Sequence, residues 1–156
     1  MLDLVFENQT GDVPPADGWS EEFFRSVIEQ AGNQLGLANK KIELGLYLVL
    51  PERSQELNKQ YRQKDKPTDV LSFPLNEHGL EEYGILPLGD IFICLEVAQQ
   101  QANEMNIPPN QELARLAVHG LLHLLGYDHE LSSVEEKKMI DLQEKILEAI
   151  FKNLNI

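Results

Sequence analysis

HGLLHLLGYDH, running from His119 to His129, gathers three of the chain's four histidines into one stretch, too dense to be scattered surface residues. Positions four apart on an α-helix differ by about 40° around its axis, so His119 and His123 project from one face and can chelate one ion. Leu113, Ala117, Leu121 and Leu124 fall on the opposite side and are expected to bury that helix against a sheet. Gly126 permits a left-handed turn that ends the helix and swings His129 back as a third ligand. Three imidazoles leave a coordination position open. Zinc suits such a site, because neutral imidazole is a good ligand and a tetrahedral three-histidine site keeps its fourth position for water; another divalent metal can use the same ligands. Bound zinc brings the pKa of that water to about 7, so these residues read as a single-domain zinc hydrolase.

The spacing is similar to that of metzincin proteases, H-E-x-x-H-x-x-G-x-x-H, with Gly120 where their glutamate stands. Glycine can neither accept a proton nor orient water, so peptide hydrolysis by that route is not expected. Met139 lies downstream, but within an apolar helical pattern, and reads as core. Asp128 has two open readings, support for an imidazole or stabilisation of the turn beside Gly126. His78, alone in a polar loop, reads as a solvated residue.

Outward from the motif, Pro108 and Pro109 break the chain and Asn110 is expected to cap the metal helix, which runs through Leu125. A last helix starts at Ser132 or Ser133 and carries Val134, Met139, Ile140, Leu142, Ile146, Leu147 and Ile150. Toward the N-terminus, Gly89 to Cys94 reads as a strand, followed by a helix from Leu95 to Met105. Leu75 to Pro87 reads as a loop with three acidic residues, Glu77, Glu81 and Glu82. Val70 to Phe73 is a short strand stopped by Pro74, and Pro51 opens a helix to Arg62. Ile42, Leu44, Leu46, Leu48 and Leu50 alternate as in a half-buried strand. Ser20 caps a helix whose apolar positions recur up to Gly36, and Leu2 to Glu7 forms a first strand. Four strands and five helices result.

A chain of 156 residues suits one domain, with 42% hydrophobic and 25% charged residues as in folded proteins. No apolar run approaches the roughly 20 residues that span a bilayer, and MLDLVFENQ lacks a basic signal region, so the cytoplasm is expected. Cys94 is the only cysteine, so metal ligands must be histidines or carboxylates. The 26 acidic residues against 13 basic ones give a net charge of -13, which opposes a broad electrostatic grip on nucleic acid. Basic residues do cluster at Arg53, Lys59, Arg62, Lys64 and Lys66, a run that ordinarily marks a solvated helix face.

Within that run, NKQYRQKDKPTDVLSFP spans Asn58 to Pro74. Asp65, Thr68 and Asp69 suit turn positions, whereas Arg62 offers a planar fork of donors for a phosphate, with Lys64 and Lys66 nearby. At this stretch and at His119 to His129 the chain resembles the YbeY family, bacterial metal-dependent endoribonucleases. The family pattern H-G-x-L-H-L-x-G-Y-D-H is met by His119, Gly120, Leu122, His123, Leu124, Gly126, Tyr127, Asp128 and His129. Its second pattern, an arginine followed by D-K-x-T-[DN]-V-L-S-F-P, is met by Arg62, Asp65, Lys66, Thr68, Asp69, Val70, Leu71, Ser72, Phe73 and Pro74.

The resemblance implies a zincin-like α+β fold: a small four-stranded mixed sheet, about five helices, and the metal helix near the centre. It implies zinc on His119, His123 and His129, and Arg62 as the catalytic arginine. It further implies single-stranded RNA as substrate, a role in maturing the 3′ end of small-subunit ribosomal RNA and in ribosome quality control, and partners on the small subunit such as a ribosomal protein or an assembly GTPase. Water and the ribose 2′-hydroxyl remain alternative nucleophiles. Two further readings stay open at this point: a metal-dependent hydrolase of a peptide or small amide, with its base in the loop of Glu77, Glu81 and Glu82, and a non-catalytic assembly factor steadied by zinc.

Overall fold

Two kinds of periodicity divide the chain. Alternation of period two gives β1 (Leu2–Asn8), β2 (Lys41–Val49), β3 (Val70–Pro74) and β4 (Ile85–Cys94). Apolar positions three and four apart give α1 (Glu21–Gln34), α2 (Pro51–Arg62), α3 (Leu95–Met105), α4 (Pro109–Leu124) and α5 (Ser133–Leu154). A 3-10 turn occupies Glu81–Tyr83. The computed structural model describes residues 1–16, 18–75, 80–127 and 132–156. Helix starts follow the capping rules: Ser20 Oγ accepts from Phe23 N–H at 3.2 Å, and Ser132 Oγ accepts from Glu135 N–H at 3.1 Å.

The sheet order is β1-β2-β4-β3. β1, β2 and β4 run parallel, and β3 lies antiparallel to β4 along one edge. The fold is α+β with a four-stranded mixed sheet and five helices, as expected. Leu44, Leu46 and Leu48 of β2 and Ile91 and Ile93 of β4 belong to one hydrophobic cluster with Phe24 and Ile28 of α1, Leu113 and Leu121 of α4, and Ile146 and Ile150 of α5. Met139 is also in this core, so its apolar reading holds.

α4 is placed among the other elements, in contact with α1, α3, α5, β3 and β4. The expected burial of Leu113, Ala117, Leu121 and Leu124 is present, but Ala114, Leu116, Val118, Gly120 and Leu122 are buried as well. Helices and strands on several sides require apolar residues almost all round, leaving a narrow stripe for polar ones.

Several element ends shift by a residue, with Leu50 capping α2, Pro74 inside β3 and α4 ending at Leu124, and two further boundaries differ for a physical reason. Asn110 does not cap α4: the helix starts at Pro109, with Pro108 as the cap residue, because a proline at the first helical position has its φ preset and needs no N–H. The loop expected from Leu75 to Pro87 gives way at Ile85 to β4, which pairs with β2 from the Lys41 and Ile85 register onward. β3 pairs only with Gly89 to Ile93, and the Leu75 N–H beyond it reaches the Leu88 carbonyl at 2.9 Å, so Ile85 to Pro87 lie where β4 is locally an edge and tolerates Pro87. The register skips Leu88 between the Glu43–Pro87 and Leu44–Gly89 pairs. At Gly89 the backbone takes φ +127°, and a Cβ would come within 2.1 Å of the Phe73 carbonyl oxygen, so this bulge needs glycine.

Candidate active site

α4 holds His119 and His123 one turn apart, and their Nε2 atoms stand 3.0 Å from each other. The rings meet at 70°, with centroids 4.5 Å apart. Two nitrogens bound to one tetrahedral zinc at about 2.0–2.1 Å are roughly 3.3 Å apart, so this pair already has the spacing of two ligands on one ion. His119 Nδ1 faces Gln143 Oε1 of α5 at 2.8 Å, which turns its Nε2 toward His123. The donors present therefore fit a zinc ion.

Beyond His123 the helix ends as its sequence requires. Gly126 takes φ +99°; its N–H donates to the His123 carbonyl at 3.0 Å, while the Tyr127 N–H donates to the Leu122 carbonyl at 3.0 Å. This is the paired bonding of a Schellman turn, and it reverses the chain. The expected third ligand, His129, and its neighbour Asp128 lie outside the described residues, as do Glu77 and His78. Among the described residues no group of three metal-ligating side chains comes together.

Gly120 has a structural reason that its sequence position conceals. A Cβ there would lie 2.9 Å from Ile91 Cγ2, so α4 rests directly on β4 at this point. A glutamate would have to push the helix off the sheet.

The opposite wall is the end of α2 and the turn after it. Gln63 adopts φ +58° and closes the helix, leaving Arg62 exposed at its last position. Two side chains tie the following turn down. Ser54 Oγ donates to the Thr68 carbonyl and accepts from the Thr68 N–H, both at 2.9 Å, and Asn58 Nδ2 donates to the Lys66 carbonyl at 2.8 Å. Both residues are buried on the same face of α2 as Leu57. Sequence reading missed them; the available signal was two small polar residues four apart flanking an apolar position. Asp69 behaves as a turn residue, its Oδ1 accepting from the Val70 N–H at 2.7 Å.

Between these walls lies a cleft of about 700 Å3, with Val70, Ser72 and Phe73 of β3 along it. His119, His123 and Tyr127 border one side, Tyr61, Arg62, Thr68 and Asp69 the other. The structure thus brings Arg62 to the histidine pair across some sixty residues of sequence, whereas Lys64 and Lys66 are exposed on the turn and do not line the cleft. The rest of the basic run is solvated as expected: Arg53 pairs with Glu56 at 2.6 Å and Lys59 with Asp65 at 3.9 Å. Glu81 and Glu82 sit exposed on the 3-10 turn, outside the cleft lining. A larger hollow of about 830 Å3, beside Trp19 and Pro109, contains none of the expected site residues.

Two turns before His119, on the same helix face, Glu112 is buried with an oxygen 3.2 Å from Arg115 Nε. Burial pushes the Glu112 carboxyl above its usual range and the charge of Asp69 adds to this, while Arg115 opposes it.

A family model described as endoribonuclease YbeY matches residues 6–151. An endoribonuclease YbeY of Aquifex aeolicus is 47% identical over 126 residues, 81% of each chain. One from Sulfurihydrogenibium sp. is 44% identical over 131 residues, 84% of each chain. The solution structure of TM1509 from Thermotoga maritima superposes with a TM-score of 0.64 at 27% identity, covering 99% of this chain and 92% of that one. Fold, cleft and these likenesses together define a hydrolase of the nuclease class, one that cleaves phosphodiester bonds. The chain belongs to the endoribonuclease YbeY family.

Proposed function

We propose that the chain is a zinc-dependent endoribonuclease specific for single strands, acting in the cytoplasm on the 3′ end of small-subunit ribosomal RNA and in ribosome quality control. The observation that carries this reading is the meeting of Arg62 with the His119–His123 pair in one cleft. RNA as substrate is supported by the names of the relatives, and the ribosomal role by the resemblance of the two sequence patterns. Single-strand preference is supported by Tyr61 and Tyr127, 55% and 39% exposed at the two sides of the cleft, where unpaired bases can stack and a duplex offers no free base face. Among the described residues no helix is long and apolar enough to cross a membrane, which is compatible with the cytoplasm.

His119, His123 and, in this proposal, His129 hold the zinc ion, which when bound supplies Lewis acidity toward a phosphate oxygen and a source of hydroxide at neutral pH. Arg62 binds the scissile phosphate through its planar fork and offsets the negative charge that grows on the oxygens as the bond breaks. β3 provides the floor with the Ser72 hydroxyl on it, and Thr68 offers a second hydroxyl from the turn before β3. The net charge of -13 opposes the capture of RNA, and with Arg53 and Lys59 in ion pairs the local help to Arg62 comes from Lys64 and Lys66 on the adjoining turn. Delivery by a small-subunit protein or an assembly GTPase would supply what the surface lacks.

Among the described residues neither Gly120 nor Glu81 and Glu82 place a base in the cleft, and Glu77 lies outside them, so the peptidase alternative draws no support from those positions. The test is cleavage of a single-stranded RNA oligomer by zinc-loaded protein and by Arg62→Ala. The variant should lose at least a hundredfold in rate, about 3 kcal/mol of transition-state stabilisation, with its zinc content unchanged. RNA cleavage by Arg62→Ala at the full rate would defeat the reading. Zinc binding without turnover in the parent protein would leave the assembly-factor role.

A further inference from the structure

The buried face of α5 is apolar at Met139, Ile146, Leu147 and Ile150, and Gln143 interrupts it. Gln143 is only 7% exposed. An amide removed from water costs free energy unless its hydrogen bonds are remade, so its place in this face calls for a specific partner. That partner is His119, whose Nδ1 lies 2.8 Å from Gln143 Oε1.

An amide oxygen accepts and carries no proton, so the proton of this bond belongs to His119 Nδ1. A neutral imidazole has one N–H. With the proton on Nδ1, Nε2 is left with a lone pair, and Nε2 is the atom that faces His123 Nε2 at 3.0 Å. In the other tautomer an N–H would point at the metal position and His119 could not ligate. We infer that Gln143 is a positioning residue that locks His119 as the Nδ1–H tautomer and fixes its ring so that the Nε2 lone pair meets the metal. The inference rests on the metal reading of the histidine pair, but the tautomer is a property of the metal-free protein and can be measured separately.

The experiment uses the full chain stripped of metal, as wild type, Gln143→Leu, Gln143→Met and Gln143→Glu, with thermal unfolding to confirm that each is folded. Nitrogen-15 NMR of the histidine rings reads the His119 tautomer, and competition with a chromophoric chelator reads zinc affinity. Wild type and Gln143→Glu should show Nδ1–H, and the apolar variants a mixture. Zinc should bind about ten- to a hundredfold more weakly to the apolar variants, and Gln143→Glu should recover that loss. Methionine is the second apolar variant because its flexible chain fills the same space should leucine not fold. The inference is overturned if the apolar variants keep a pure Nδ1–H tautomer and wild-type affinity, or if Gln143→Glu loses as much as they do. If wild-type protein takes up no zinc while its His119 is Nδ1–H and the apolar variants lose this, the metal reading fails and the tautomer lock stands.

Discussion

The two walls of the cleft are built by different means. The histidine wall is α4, wrapped by other elements and held by packing: Leu113, Ala117 and Leu121 have no exposed surface. The arginine wall is the exposed end of α2, held by a handful of hydrogen bonds from Ser54 and Asn58 to the turn behind it. A ligand set needs fixed distances within tenths of an ångström, and dense packing supplies that. In the proposed reading Arg62 must meet a phosphate that arrives from solvent, and it stands exposed at the last position of α2. Perturbing the first wall should alter metal and fold together, and perturbing the second should alter catalysis with the metal intact.

The largest expected effect is in His123→Ala. One of the two converging nitrogens is removed, so zinc content by elemental analysis should fall to background and RNA cleavage with it; full zinc occupancy would break the contrast at its strongest point. Next comes Gly120→Ala. Overpacking against Ile91 costs about 1–3 kcal/mol, and alanine returns about 1 kcal/mol through helix propensity, so a lowered melting temperature and weakened zinc binding should appear together. An unchanged or raised melting temperature would mean that the α4–β4 contact yields freely. Asn58→Ala sharpens the other side: it frees the Lys66 carbonyl and should destabilise the protein by about 1 kcal/mol, lower the cleavage rate several-fold and leave zinc affinity alone. A parallel fall in zinc affinity would show the two walls to be one unit.

The smallest effect is a pH dependence within the histidine wall. Glu112 has its carboxyl raised, chiefly by burial, above the ordinary value of 4.5. The folded protein therefore favours the protonated form, and stability present below pH 4.5 is lost as the pH rises through the folded-state value. Glu112→Gln cannot ionise. Its melting temperature relative to wild type should rise with pH over that window, and a constant difference between pH 4 and pH 7 would contradict the assignment.

Much of this was legible in the sequence because the signals are local. Pro51 and Arg62 bracket α2, Leu95 and Met105 bracket α3, and Ser20 caps α1 through a bond three residues long. The histidine pair was legible for the same reason, since helical geometry alone brings positions four apart together. What escaped depends on distant partners. β4 extends back to Ile85 because β2 lies beside it, which nothing in a stretch ending at Pro87 announces. Gly120 reads as a missing catalytic glutamate until Ile91 is seen beneath it. Ser54 and Asn58 carry no catalytic signature, as their role is to hold backbone fourteen and eight residues away. The third ligand expected at His129 lies outside the described residues, so that part of the sequence reading is carried by the proposal above.

β4 passes into α3 without an intervening residue, Cys94 ending the strand and Leu95 opening the helix. At that junction the Cys94 N–H also donates to the carbonyl of Asp69, at the mouth of the cleft, at 2.9 Å. One added residue there would turn α3 by about 100° about its axis relative to the sheet. Chain length at this seam is thus as much a specification as residue identity.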